Sequence, residues 1–139
     1  MTHDAAEGAT RSSASRQVRV AWGVLAVFLL VWTVFEAAKY GGWVIVAAVL
    51  GVIAPDLSFL AGVGAPGPHR HGQLPRRAVP VYNLLHRPAV PFVVMLTCLI
   101  PESQGLAVSL FTFGLAWMHH VASDRAFGFG LRTPEGWQR

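Results

Sequence analysis

The sequence predicts an all-α protein, a four-helix transmembrane bundle with both termini in the cytoplasm. Hydrophobic residues make up 53% of the chain and charged residues only 13%, against about 25% charged residues in soluble domains. Four long apolar stretches alternate with short polar segments rich in Gly and Pro. With the N-terminus inside, Lys39 alone falls on the outer side, and all the arginines fall on the cytoplasmic side. These are Arg11, Arg16, Arg19, Arg70, Arg76, Arg77, Arg87, Arg125, Arg132 and Arg139.

The basic charge reflects membrane topology and not a nucleic-acid partner. The formal net charge is +4, but the arginines are spread over loops and tails and do not form one binding face. Cys98 is the only cysteine, so an intrachain disulfide is excluded. The predicted environment is the lipid bilayer of the cell membrane.

The first predicted helix covers about residues 18–40. Residues 1–17 are small and polar and predict a disordered N-terminal tail. A signal peptide is the competing interpretation, because arginines precede the apolar stretch. That stretch continues past Phe35 without a clear cleavage site, which favours a membrane helix.

The second predicted helix, about residues 43–62, contains a carboxylate inside an apolar span, where burying its charge is unfavourable. Trp43 opens it as an interfacial anchor, and Asp56 and Ser58 follow Pro55 in an otherwise apolar span. These two polar side chains either satisfy the carbonyl that Pro55 frees or face a partner on another helix.

A basic cytoplasmic loop, residues 63–78, leads into the third predicted helix, about residues 79–100. His69 and His71 in the loop form an HxH pair, which we interpret as two solvated histidines because no further ligand is near in sequence. In the helix, Tyr82, Asn83 and His86 have the spacing of neighbouring side chains on a helix surface.

The fourth predicted helix, about residues 106–126, ends in the stretch WMHHVASDRAFGFG. His119, His120, Asp124 and Arg125 lie within it, and His120 and Asp124 are four residues apart and therefore share a face. Gly128 or Gly130 is expected to stop the helix. Residues 131–139 form a predicted C-terminal tail.

Polar residues of three helices are predicted to lie at one membrane depth. At 1.5 Å per residue, Asp56 lies about 10 Å, His86 about 9 Å and His120 about 6 Å from the inner face, with Asp124 at the interface. We expect these four to form a cluster that holds a metal, with Asp56 or Asp124 as candidate catalytic bases. The expected surrounding residues are Ser58, Tyr82, Asn83, His119 and Arg125.

Three motifs in order, PDLS, YNLLH followed by Pro, and HHVASDRAFGFGLRTPEG, resemble a bacterial family of small four-helix membrane proteins, domain of unknown function 4260. The resemblance covers roughly residues 43–136, and HxxxDRxxGxG is its most specific element. It implies the four-helix architecture but no activity. The family's polar positions map onto Asp56, Ser58, Tyr82, Asn83, His86, His120, Asp124, Arg125, Gly128 and Gly130.

The cluster supports a first hypothesis of a divalent transition metal site. Two imidazoles and two carboxylates suit Zn, Mn or Fe(II), and an open coordination position would activate water. The protein would then be a metal-dependent hydrolase acting on lipid-linked phosphates or esters. Arg125, Arg87 and the loop arginines would hold an anionic lipid head group.

Two other hypotheses use the same residues. In one, the Asp/His network only holds the helices in register, and the protein is structural or acts through partners. In the other, the network relays protons in a carrier, which with four helices would require at least a homo-oligomer.

Overall fold

The computed structural model describes residues 2–66 and 70–139, with side chains from Ser15 onward. The described residues form no strand, only an isolated antiparallel bridge between Arg132 and Gln138, so the all-α prediction is confirmed. Five α-helices follow one another: α1 Thr2–Tyr40, α2 Gly42–Ile53, α3 Val79–Leu85, α4 Ala89–Leu96 and α5 Gln104–Phe127. Three 3₁₀-helical segments adjoin these helices: Ala54–Gly62 after α2, Arg76–Ala78 before α3 and Thr97–Leu99 after α4.

Three of these helical segments are long and apolar enough to cross a bilayer: Ser15–Tyr40, Gly42–Gly62 and Gln104–Phe127. The pair Arg76–Leu85 and Ala89–Leu99 adds a fourth span if the two count as one, and it is bent by 49°. Of the three long spans, Gln104–Phe127 is the least apolar. The structure thus confirms a helical bundle with three or four helices long and apolar enough to span a membrane.

The third predicted helix, residues 79–100, is not continuous. It breaks between α3 and α4, where Pro88 lacks the N–H that the next turn needs. The ring of Pro88 also disfavours the helical conformation for the preceding Arg87. A single helix over 79–100 was therefore wrong, and the break leaves His86 at the end of α3.

The predicted disordered tail, residues 1–17, stays a prediction. The backbone of α1 begins at Thr2, but side chains are described only from Ser15. His69 of the HxH pair lies outside the described residues, and His71 is exposed.

Helix α5 is the centre of the bundle and packs against α1, α2 and α4. Its apolar contacts with α1 form the main buried cluster, which consists of Ala26, Leu29, Leu115, Met118 and Ala122. Two glycines let backbones approach closely. A Cβ on Gly51 would overlap the carbonyl oxygen of Phe113, and a Cβ on Gly114 would overlap Met95. Small residues at such crossings are typical of helix packing in membranes.

The first and last spans meet at one end of the bundle, which we call the site end. There Arg19 Nε donates to the carbonyl oxygen of Ala126 at 3.0 Å. The part of α1 around Arg19 therefore lies beside the C-terminal end of α5. The 3₁₀ segment that follows α2 lies at this end too, and so does the start of α3. The far end is formed by the turn between α1 and α2 and by the start of α5.

The C-terminal segment, residues 131–139, folds back over the site end. Helix α5 stops at Gly128, which adopts a left-handed conformation with φ of 86°, as one of the two predicted glycines. The side-chain amide of Asn83 then pairs with the backbone of Arg132, accepting from its N–H at 2.7 Å and donating to its carbonyl at 2.9 Å. Leu74 N–H donates to the Gly136 carbonyl at 3.0 Å. The predicted tail is thus joined to α3 and to the loop.

Candidate metal centre

Three elements bring the predicted polar cluster together at the site end. Asp56 lies in the 3₁₀ turn Ala54–Gly62, directly after Pro55. His86 caps the C-terminus of α3, where the chain breaks before Pro88. His120 and Asp124 project from one face of α5, four residues apart.

Both histidines face both carboxylates. His86 Nε2 lies 3.8 Å from Asp56 Oδ1 and 3.5 Å from Asp124 Oδ2. His120 Nε2 lies 3.5 Å from Asp56 Oδ1 and 3.6 Å from Asp124 Oδ2. The two imidazole rings meet edge to face, with their centroids 5.5 Å apart.

These separations are too long for good hydrogen bonds, which run from about 2.7 to 3.2 Å for a nitrogen donor. The Nε2 atoms of His86 and His120 are buried and have no hydrogen-bond partner. Leaving a buried polar atom unpaired costs roughly 1–3 kcal/mol. Two such atoms aimed at the same pair of carboxylates therefore require an explanation.

The tautomer of His86 is determined by its other nitrogen. His86 Nδ1 lies 2.9 Å from the carbonyl oxygen of Tyr82, and because a carbonyl only accepts, Nδ1 carries the proton. The lone pair of Nε2 is then free for a metal ion.

The spacing of the ligand atoms fits a metal ion. With metal–ligand bonds of about 2.0–2.1 Å, neighbouring ligand atoms of a tetrahedral site lie roughly 3.3–3.4 Å apart. The observed nitrogen–oxygen separations of 3.5–3.8 Å are close to this value. Asp56, His86 and His120 each offer one ligand atom within 4.8 Å of the others.

The cluster is closed on its imidazole side and open on its carboxylate side. The side chains of His86 and His120 are 3% and 12% exposed, whereas those of Asp124 and Asp56 are 26% and 51% exposed. A small ligand can therefore reach the carboxylates but not the backs of the rings.

Two of the expected neighbours support His86 directly. The Tyr82 ring stacks on the His86 ring, with centroids 3.8 Å apart and planes inclined by 17°. Arg125 Nη2 donates to the His86 carbonyl at 3.2 Å, which satisfies a free acceptor at the end of α3. The Tyr82 ring thus fixes the face of the imidazole, and Arg125 fixes the backbone of His86.

The other expected neighbours contact other parts of the molecule. His119 Nδ1 lies 2.9 Å from the Ala26 carbonyl, so this ring faces α1 and the structure does not bring it into the cluster. Asn83 holds the C-terminal segment through Arg132. Ser58 is 1% exposed, and its hydroxyl has no hydrogen-bond partner.

Arg132 lies close to the cluster, although the sequence predicted for it only a place among the arginines on the cytoplasmic side. Its guanidinium carbon lies 5.3 Å from the centroid of the Tyr82 ring, and Tyr82 in turn stacks on His86. The only signal for it was its place within the LRTPEG end of the last motif.

Comparison with known proteins identifies a family and no relative of known activity. A family model described as a domain of unknown function (DUF4260) matches residues 18–139. The chain matches no curated protein and no solved structure.

Proposed function

Because this chain belongs to the DUF4260 family, whose description assigns no activity, we propose its function from the site itself. The protein binds one divalent transition metal ion and hydrolyses lipid-linked substrates in the membrane. The observation that carries the proposal is the pair of buried, unpartnered Nε2 atoms that face two carboxylates. The proposed ligands are Asp56, His86 and His120, with Asp124 beside them.

The donor set suits catalysis better than a purely structural metal site. Two histidines and one carboxylate are the protein ligands of hydrolytic zinc enzymes and of non-haem Fe(II) sites. A bound ion supplies Lewis-acid chemistry and makes water a nucleophile near neutral pH. Asp124, whose Oδ2 lies within 3.6 Å of both imidazoles, is placed to take the proton from that water.

The substrate is proposed to come from the bilayer because the site lies within spanning segments. Asp56 belongs to the span Gly42–Gly62, six residues before its end, which at about 2.0 Å per residue in a 3₁₀ turn is about 12 Å. The arginines gather at the site end, so by the positive-inside rule this end faces the cytoplasm. An anionic head group in the cytoplasmic leaflet fits that charge.

A network that serves only to hold the helices together is the alternative. Such a network gains from short hydrogen bonds between helices, each about 0.6 kcal/mol in a bilayer. The Nε2 atoms would then donate or accept at about 2.9 Å. Their separations of 3.5–3.8 Å from the carboxylates and their lack of partners favour the metal.

The first test is the metal content of the detergent-purified protein after repletion with Zn²⁺, Mn²⁺ or Fe²⁺. We expect about one ion per chain in the wild type and none in a His86→Ala, His120→Ala variant, because a single ligand set holds the ion. His119→Ala is the matched control, since it removes an adjacent histidine that faces α1, and it should keep the ion.

A wild type that stays free of metal after repletion would reject the proposal and favour the structural network. Catalysis is tested in the same preparations on lipid phosphoesters and esters. Asp124→Asn should retain much of the metal but lose hydrolysis by at least about 100-fold, the usual range for a removed general base. Equal hydrolysis by this variant would remove Asp124 from the mechanism.

A further inference from the structure

Four arginines of the site end donate to backbone carbonyls and not to carboxylates. Arg19 bonds Ala126, Arg125 bonds His86, Arg132 bonds Gly72, and Arg77 bonds Val63. Among residues 15–66 and 70–139, the ion pairs within 4.0 Å are those of His86 and His120 with Asp56 and Asp124. The positive charge of these guanidiniums is thus not balanced by a bound acid.

The charge of the metal site makes this imbalance larger. Two ionised carboxylates and two neutral imidazoles balance a divalent ion, so the loaded cluster carries no net charge. The guanidiniums beside it then remain in excess. An anion is the ligand that such a site attracts.

Of these arginines, Arg132 is connected to the cluster through a stack of side chains. Its guanidinium lies over the Tyr82 ring at 5.3 Å, and Tyr82 lies against His86 at 3.8 Å. Its Nη1 donates to Gly72 at 2.9 Å. Its Nε is buried and has no hydrogen-bond partner, while the residue as a whole is only half-buried, so the protein does not saturate the donors of this guanidinium.

The fold holds Arg132 firmly in this place. Asn83 makes two hydrogen bonds with its backbone, and Gln138 Nε2 donates to the Gly128 carbonyl at 2.7 Å. A Cβ on Gly136, which has φ of 94°, would overlap the Leu74 carbonyl. Ordering a segment costs backbone entropy, and these contacts offset that cost and keep the segment over the site.

We propose that Arg132 is the phosphate-binding residue of the site and that the substrate is a phosphoester carried on a lipid. This inference rests on the proposed function and narrows its substrate from lipid-linked esters in general to phosphoesters. Arginine suits phosphate because its planar fork offers two parallel donors to two oxygens. Arg132 keeps one donor unpaired, and its guanidinium lies over the Tyr82 ring that stacks on His86.

The lipid part of the proposal follows from the surroundings of Asp56. This half-exposed carboxylate lies in a membrane span beside Leu57 and Leu60, which are 54% and 65% exposed. An exposed apolar rim next to an open polar site suits an amphiphile, whose head reaches the cluster while its chains stay in the bilayer. A water-soluble phosphate would gain nothing from that rim.

The reaction balances without an oxidant or a further reactant. The water oxygen forms a new bond to phosphorus, and the bond from phosphorus to the lipid oxygen breaks. The lipid oxygen leaves with the electron pair of that bond. The proton that water loses passes to Asp124 and then to the leaving oxygen, giving a lipid alcohol and a phosphate.

Binding of dioctanoyl phosphatidic acid to the metal-loaded, detergent-solubilised protein tests this inference. Arg132→Gln should weaken binding roughly 10- to 100-fold, the value of a charge-assisted pair, and leave the metal content unchanged. Arg132→Lys keeps the charge without the fork and should lie between. Arg139→Gln is the matched control, because it removes an exposed arginine of the same segment.

Each contrary result would overturn a different part of the proposal. Equal binding by wild type and Arg132→Gln rejects the role of Arg132. Equally tight binding of glycerol 3-phosphate rejects the lipid requirement, and equally tight binding of dioctanoylglycerol rejects the phosphate. If the wild type stays free of metal after repletion but still binds the phosphatidic acid through Arg132, the anion site survives and the metal function fails.

Discussion

The two ends of the bundle differ in how their polar groups are satisfied. The far end has a cavity of about 660 Å³, lined mainly by apolar residues such as Trp43, Leu50, Leu106 and Phe113. Two of its charged side chains have local partners: Glu36 accepts from Trp32 at 3.0 Å, and Lys39 lies over the Tyr40 ring at 4.8 Å.

The site end shows the opposite arrangement. The cluster there is small, yet it contains buried nitrogens without partners on His86, His120 and Arg132. Apolar volume in a membrane protein is readily filled by lipid, whereas an unpaired buried polar atom requires a specific acceptor or ion. Buried nitrogens without partners that face carboxylates therefore indicate a specific ligand better than cavity size does.

The largest effect is expected from removing one carboxylate of the site end. Asp56→Asn should lower the affinity for the metal more than 100-fold, because even the groups that merely orient metal ligands contribute 10- to 100-fold. Competition with a chromophoric chelator measures the affinity. Ser109→Ala, in the lining of the far-end cavity, is the control and should leave it unchanged. An equal loss in both variants would contradict the distinction between the ends.

A smaller effect is expected where α2 and α5 pack between the two ends. Gly51→Ala should destabilise the protein by about 1–3 kcal/mol, the usual cost of overpacking, because its Cβ would overlap Phe113. Gly23→Ala is the matched control, since its Cβ would meet Ala126 at an ordinary 3.7 Å. Thermal unfolding in detergent compares them. Equal midpoints would show that the crossing of α2 and α5 tolerates a methyl group.

The smallest effect is expected from releasing the C-terminal segment at the site end. Asn83→Ala removes two hydrogen bonds to Arg132, worth about 1 kcal/mol each. Amide exchange in residues 131–139 should become roughly 30-fold faster, while exchange at the far end and the metal content stay as in the wild type. Unchanged exchange in the segment would mean that Gly136 and Gln138 hold it without Asn83.

Much of the fold was predictable because helices in a bilayer follow simple distances. The apolar runs locate the spans, and the rise per residue places Asp56, His86 and His120 at one depth. The structure brings these side chains together with Asp124, as expected from those depths. Whether they bind a metal stays a prediction that the experiments above decide.

The remainder depends on details that periodicity does not contain. His119 and His120 are adjacent, and only the rotation of α5 directs one to α1 and the other to the cluster. The break after His86 follows from Pro88, whereas the apolar run alone predicted one helix over residues 79–100. The pairing of Asn83 with Arg132 joins residues 49 positions apart, and no local pattern in a polar segment indicates such a contact.

The modest apolar character of α5 has a consequence for how the protein is made. Its span Gln104–Phe127 is the least apolar of the three long ones, and its last turns contain His120 and Asp124. Ionisable residues oppose the transfer of a helix from the translocon into lipid, by about 2.5–3.5 kcal/mol for an Asp at the centre and by less toward the ends. The earlier helices, which present Asp56 and the Ala26 carbonyl, therefore act as the receiving surface for α5. Biogenesis and the proposed chemistry thus depend on the same polar side chains, so a variant without Asp56 should also integrate its last helix less efficiently.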